Sequence, residues 1–266
     1  MSIIQAIIYG IIQGITEFLP ISSTAHLIAL PKVFGWSELA PNLALSFDVA
    51  LHLGTLVAVV AFFWKDWLNM FRLGFTKPKS TEGKLFWFIV LASIPGAIVG
   101  KIFEKQAETT FRELYVIGIM LIIMGIILYF CDKLSRKDLS IEKIGLKRSF
   151  LIGLSQALAI IPGVSRSGIT MSTGLIFGLT RETAARYSFL LSTPIIFGAV
   201  LFKAKDIISL PSSYISFFIV GITTSSIAGL ISIKFLLRYL KNKGFGIFSI
   251  YRIVFGLILI FVALVK

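Results

Sequence analysis

The sequence is 266 residues long and poor in cysteine, histidine and acid, and each scarcity excludes something. Its one cysteine, Cys131, can form neither an intrachain disulfide nor a cysteine-ligated metal cluster. Charged residues make up only 15% of the chain and gather in connecting runs such as Lys65 to Lys84 and Asp132 to Arg148. Charge confined in this way excludes an amphipathic protein that merely lies on a membrane. No Lys or Arg precedes Lys32, so the basic region of a cleaved signal peptide is missing and Met1 is expected to belong to the mature chain.

Apolar residues are abundant instead. A hydrophobic share of 56%, 24 Phe and a mean hydropathy of +0.91 exceed what a soluble domain of this length carries, which makes the chain an integral membrane protein. The net charge of +13 would suggest nucleic acid in a soluble protein. Here most Lys and Arg flank apolar spans, so the expected partners are the lipid bilayer and its anionic headgroups, and no nucleic acid.

Apolar runs long enough to cross ~30 Å of hydrocarbon as helices lie near Leu43 to Trp64, Leu85 to Phe103, Leu114 to Phe130, Tyr187 to Phe202, Tyr214 to Ile233 and Phe248 to Val265. The loops 65 to 84 and 132 to 148 are basic, whereas 104 to 113 is slightly acidic, so the first two are expected on the cytoplasmic side. The basic loop from Lys234 to Lys243 joins them only if the segments 1 to 42 and 149 to 180 each enter and leave from one face. Each has a mid-sequence proline among Gly and Ser, which suits two half-helices joined by a non-helical tip. The expectation is therefore all-α, with six transmembrane helices and two re-entrant hairpins.

These two segments also resemble each other. Gly10-Ile-Ile-Gln13 through Glu17, Pro20, Ser22, Ser23, Thr24 and His26 is echoed by Gly153-Leu-Ser-Gln156 through Pro162, Gly163, Ser165, Arg166, Ser167, Gly168 and Thr170. The echo continues from Ser46-Phe47 to Lys65-Asp66 and from Ser188-Phe189 to Lys205-Asp206. An inverted-topology repeat is expected, residues 1–145 and 146–266 forming its halves, with the hairpin tips meeting at mid-membrane.

Chemistry concentrates at those tips. Between Met1 and Pro31 the only fixed side-chain charge is Glu17, and between Ser149 and Thr180 it is Arg166 until the segment ends. Isolated intramembrane charges are functional candidates. Gln13 and Glu17, four apart on one helical face, offer oxygens to a hard divalent cation. Ser23 and His26, three apart, make a minimal activated-nucleophile pair. The stretch Pro162 to Thr170 combines glycines, hydroxyls and one Arg, a composition suited to phosphate at a helix N-terminus. Asp48 and His52, four apart at the start of a crossing, offer a second acid and base, but the better expectation is that Asp48 caps or lines the cavity and that His52 packs.

Together the segments resemble the signature motifs of the undecaprenyl-diphosphate phosphatase family of the bacitracin-resistance type: Gln or Glu, three residues, Glu, then Pro-x-Ser-Ser-Thr-x-His, and later Pro-Gly-x-Ser-Arg-Ser-x-x-Thr. The resemblance implies a bacterial inner-membrane phosphatase that converts undecaprenyl diphosphate to undecaprenyl phosphate and inorganic phosphate, recycling the carrier of cell-wall glycans. It implies Glu17, Ser23, His26 and Arg166 as catalytic, with Gln13, Ser22, Thr24, Ser165, Ser167, Gly168 and Thr170 binding substrate. The expected cofactor is a divalent cation, Mg²⁺ or Ca²⁺, on Glu17 and Gln13, and the expected partners are a polyprenyl diphosphate lipid and a second copy of the chain. The site would open to the outer side. The alternative is a secondary transporter or flippase of a phosphorylated lipid, which the same repeat architecture would serve. Intramembrane lipid phosphatases that rely on two histidines beside a Ser-Arg loop fit poorly, since only His26 and His52 exist.

Overall fold

The structure, a computed structural model, describes residues 1–36, 41–103, 106, 110–208 and 212–265. Helix α1 (Ile3–Phe18) starts at a capping box in which Ser2 and Gln5 satisfy each other's backbone N–H groups. It stops just before Pro20, which has no N–H to extend the ladder. The chain then turns into α2 (Ser23–Phe34), whose end is closed by Gly35 in the left-handed conformation, φ 62°.

The remaining helices are α3 (Pro41–Phe62), α4 (Trp64–Thr76), α5 (Thr81–Ile102), α6 (Leu114–Leu134), α7 (Gly145–Gln156), α8 (Arg166–Ile176), α9 (Arg181–Ile208), α10 (Ser212–Leu240) and α11 (Gly246–Val265). Six of them, α3, α5, α6, α9, α10 and α11, are long and apolar enough to cross a membrane, and they coincide with the six expected spans. No strand is present among the described residues. The all-α, polytopic reading therefore stands.

One expectation needs correction. The run Lys65 to Lys84 is not only a connecting loop, because most of it is α4. On this helix Trp64, Leu68, Phe71 and Phe75 remain exposed and apolar, spaced so that lipid can cover them. The Trp87 indole N–H donates to the Gly74 carbonyl at 3.0 Å and ties α4 to α5.

Packing interleaves the two halves of the chain. Helix α1 lies against α10, α7 against α5, α3 against α9 and α10, and α6 against α11. The short helices come very close to their partners. A Cβ on Gly14 would sit 2.5 Å from the Ser225 carbonyl oxygen, and one on Gly153 would sit 1.9 Å from that of Ala92. Both glycines are therefore required by close helix contact, the usual way helices associate where lipid removes the hydrophobic driving force. Phe18 and Phe189 meet edge to face at 5.3 Å in the core beneath the tips. On the basic side, buried Asp132 accepts from Arg181 Nε at 2.5 Å and from the Phe245 N–H at 2.9 Å, fastening α6, α9 and the start of α11.

Candidate active site

Each tip ends in a serine with unusual backbone geometry. Ser22 (φ 73°, ψ 95°) caps α2 and Ser165 (φ 70°, ψ 115°) caps α8, both at positive φ that L-residues rarely adopt. Such strain costs about 1–3 kcal/mol per residue and persists where the surroundings enforce it, commonly at functional sites. Gln13 stands before Ser22 at the same spacing as Gln156 before Ser165. The two motifs thus share a similar backbone geometry at their caps. In both, the residue after the strained cap, Ser23 or Arg166, opens a helix and faces one cavity.

The enforcement is visible in hydrogen bonds across the tips. The Gly163 N–H donates to Ser22 Oγ at 3.2 Å, and Ser167 Oγ donates to the Leu19 carbonyl at 3.1 Å. Ser165 Oγ accepts from the Gly168 N–H at 3.1 Å and lies 3.2 Å from Ser167 Oγ. Thr170 Oγ1 bonds the Arg166 carbonyl at 2.8 Å and Ser188 Oγ at 2.7 Å. Ser167, Gly168 and Thr170 therefore fasten the second tip, while Ser165 and Arg166 line the cavity.

Glu17 is the junction. Its Oε1 accepts from Arg166 Nη2 at 2.8 Å, and its Oε2 accepts from Ser23 Oγ at 2.7 Å and from Gln13 Nε2 at 3.1 Å. His52 Nε2 lies 3.6 Å from the same Oε2. The lone acid of the first motif and the lone cation of the second thus meet, with the candidate nucleophile on the other carboxylate oxygen. Arg166 Nη1 also donates to the Ser188 carbonyl at 3.1 Å, which leaves further guanidinium N–H groups for a ligand.

The two histidines sit differently in the structure. His26 does not bond Ser23: its Nδ1 lies 2.7 Å from the Ser22 carbonyl and its Nε2 2.7 Å from Tyr251 Oη, and its ring stacks on Phe255 at 4.5 Å. His52, for which packing was the better expectation, lines the cavity beside Glu17, its Nδ1 held 2.7 Å from the Asp48 carbonyl. Asp48 itself pairs with Arg112 Nη2 at 3.5 Å.

One residue escaped the sequence reading altogether. Arg252 on α11 is fully buried, and its guanidinium donates only to carbonyls: Pro20 at 2.9 Å, Gly163 at 2.6 Å, Val164 at 2.9 Å and Leu121 at 3.4 Å. Pro20 and Gly163 hold the same place in the two tips, so one side chain clamps both. A basic residue inside the last apolar span was the available signal.

The cavity has a volume of about 240 Å³. Its polar lining comes from both tips, from His52 and from Gln156, and its apolar lining from small and aliphatic residues of α5, α9 and the segment after α7. The first turns of α2 and α8 open onto it, so two helix N-termini offer backbone N–H groups to an anion. Gln13 Oε1 is buried without a hydrogen-bond partner while its Nε2 faces the Glu17 carboxylate, so the two residues would offer paired oxygens to a hard divalent cation only with the amide turned over. No group of three or more His, Cys, Asp or Glu residues gathers among the described residues. An ion here would therefore draw most of its ligands from water and from a bound phosphate.

Comparison with known proteins agrees with this chemistry. Residues 6–258 match the family model described as bacitracin resistance protein BacA. A protein of Pelotomaculum thermopropionicum named undecaprenyl-diphosphatase is 52% identical over 263 residues, covering 99% of this chain and 97% of its own. One of Moorella thermoacetica with the same name is 50% identical, covering 98% and 97%, and one of Desulforudis audaxviator is 47% identical over the full length of both.

Proposed function

The chain belongs to the BacA family and acts as an undecaprenyl-diphosphatase, and we propose that its chemistry is serine-based, centred on the carboxylate where the two tips meet. The observation that carries this reading is Glu17 bridging Ser23 and Arg166. Naming of the relatives as diphosphatases favours hydrolysis over the transporter alternative, and a carrier has no use for a nucleophile held on a base.

The terminal phosphate sits between the first turns of α2 and α8, where helix N-termini and Arg166 receive its oxygens. Ser23 Oγ attacks the terminal phosphorus and gives its proton to Glu17 Oε2. The bridging P–O bond breaks with its electron pair going to the lipid monophosphate. Water then attacks the phosphoserine and loses a proton to His52, while Glu17 returns its own to the departing Ser23 Oγ. Inorganic phosphate leaves, His52 gives the proton it took from the water to the departing phosphate, and the site is restored. Arg166 stabilises charge as it moves between oxygens, the contribution that preorganised donors make best in a water-poor site. A divalent cation, Mg²⁺ or Ca²⁺, held by Glu17 and Gln13 would supply charge neutralisation on the phosphates. His26 is assigned to positioning, since it holds the strained Ser22 backbone through that residue's carbonyl.

In this reading the tips belong to two re-entrant hairpins of an inverted repeat, residues 1–145 and 146–266. The loops 65 to 84, 132 to 148 and 234 to 247 face the cytoplasm of a bacterial inner membrane, and the site opens outward. The test is phosphate release from undecaprenyl diphosphate by purified protein, which Glu17→Gln should all but abolish while the fold survives. Normal turnover by that variant would remove Glu17 from the mechanism.

A further inference from the structure

Gln156 is buried, 4% exposed, and lines the cavity, yet neither its Oε1 nor its Nε2 has a hydrogen-bond partner. An amide left so in a membrane protein is costly unless something bonds it. Its placement follows from the helix crossing. Gly153 packs on the Ala92 carbonyl, which brings α7 onto α5, and one turn further along both helices Gln156 comes to face Gly96. A Cβ on Gly96 would lie 3.1 Å from Gln156 Nε2, so the absence of a side chain there leaves the amide uncovered.

The surroundings indicate what it would bond. Beside Gln156 stand Gly96 and Ile195, and the same cavity is lined by Gly100, Ala157 and Ala199 as well as by Glu17 and Arg166. A polyprenyl diphosphate joins the same two chemistries, because only one of its phosphates carries the hydrocarbon. With the terminal phosphate at Ser23 and Arg166, the other must lie toward the apolar lining. We propose that Gln156 binds the lipid-side phosphate through its amide N–H groups, and that the groove over Gly96 and Gly100 takes the first isoprene unit. The proposal rests on the phosphatase reading for the orientation of the substrate. A neutral donor suits this place: it strengthens its bond as charge gathers on the leaving lipid phosphate, and it does not retain that product as a cation would.

Direct binding separates this role from the catalytic reading, since it needs no turnover. Calorimetric titration of purified wild-type and Gln156→Leu protein with farnesyl monophosphate should show affinity falling about tenfold or more, the loss of a hydrogen bond to a charged group. Titration with inorganic phosphate, which occupies the Ser23 end, should stay within about twofold. Gly96→Ala, which presses on the amide without replacing it, should reproduce the pattern if the Leu variant folds poorly. Equal losses for both ligands, or none for either, would overturn the assignment. A wild-type protein that binds both ligands but releases no phosphate from undecaprenyl diphosphate would refute the catalytic reading and with it the orientation on which the proposal rests, whereas a failure confined to the variants would refute only the role of Gln156.

Discussion

Replacing Arg252 with Met removes the clamp while keeping most of the side-chain volume. Three carbonyls now bonded at 2.6 to 2.9 Å, those of Pro20, Gly163 and Val164, would lose their donor. A buried polar group left unsatisfied costs roughly 1–3 kcal/mol, so the gross loss is about 3–9 kcal/mol. Part is offset, because burying a guanidinium is itself unfavourable by several kcal/mol and the variant no longer does so. Taking about 6 kcal/mol as the middle of that range and about 3 kcal/mol as the offset, a net destabilisation of about 3 kcal/mol corresponds to a fall in melting temperature of roughly 10 °C for a chain of this size. Thermal unfolding in detergent measures it. Turnover per folded molecule should fall about tenfold or more as well, since Ser22 and Ser165 are strained caps whose register depends on the clamp. Arg252→Lys should rescue little, because a single ammonium cannot span carbonyls of two tips as a planar fork does. A Met variant melting within about 2 °C of wild type and turning over normally would refute the clamp.

Three further outcomes are expected. Arg166→Lys should lower turnover about as deeply as Arg166→Ala, on the order of a hundredfold, because phosphoryl oxygens need the planar fork; a Lys variant near wild-type rates, with Ala lowering only the melting temperature, would reduce Arg166 to a partner of Glu17. Chelation of divalent cations should suppress phosphate release, and Gln13→Leu should raise the cation concentration needed for half activity, whereas full rates in chelator would exclude the metal assignment. In a Cys131→Ser background, a cysteine at Thr76 should stay unlabelled by impermeant reagent in intact cells, and labelling there would reverse the topology.

The spans were legible because length and hydropathy decide membrane crossing almost alone, and all six appear where the sequence puts them. The convergence of the two motifs on one site was legible too, since the segments carrying the isolated charges were expected to meet, but the direct bond between Glu17 and Arg166 was not. Helix α4 was missed because its 13 residues are too few to cross a membrane and include Lys65, Asp66 and Arg72, so the segment resembled a charged loop. The partners of the histidines were not legible: His26 follows Ser23 by one turn of α2, but its ring is held by Tyr251 and Phe255 of α11, and His52 arrives beside Glu17 on α3, far away in sequence. Arg252 was passed over because its partners are carbonyls of two distant tips, which no periodicity encodes.

The most direct test of the central claim is to look for the phosphoserine. Enzyme mixed with undecaprenyl diphosphate, quenched in acid within one turnover and digested should carry phosphate on Ser23. His52→Ala should accumulate more of it, by losing the group that receives the proton of the attacking water. Phosphate found nowhere on the protein, together with a Ser23→Ala variant that still turns over at wild-type rate, would contradict the account.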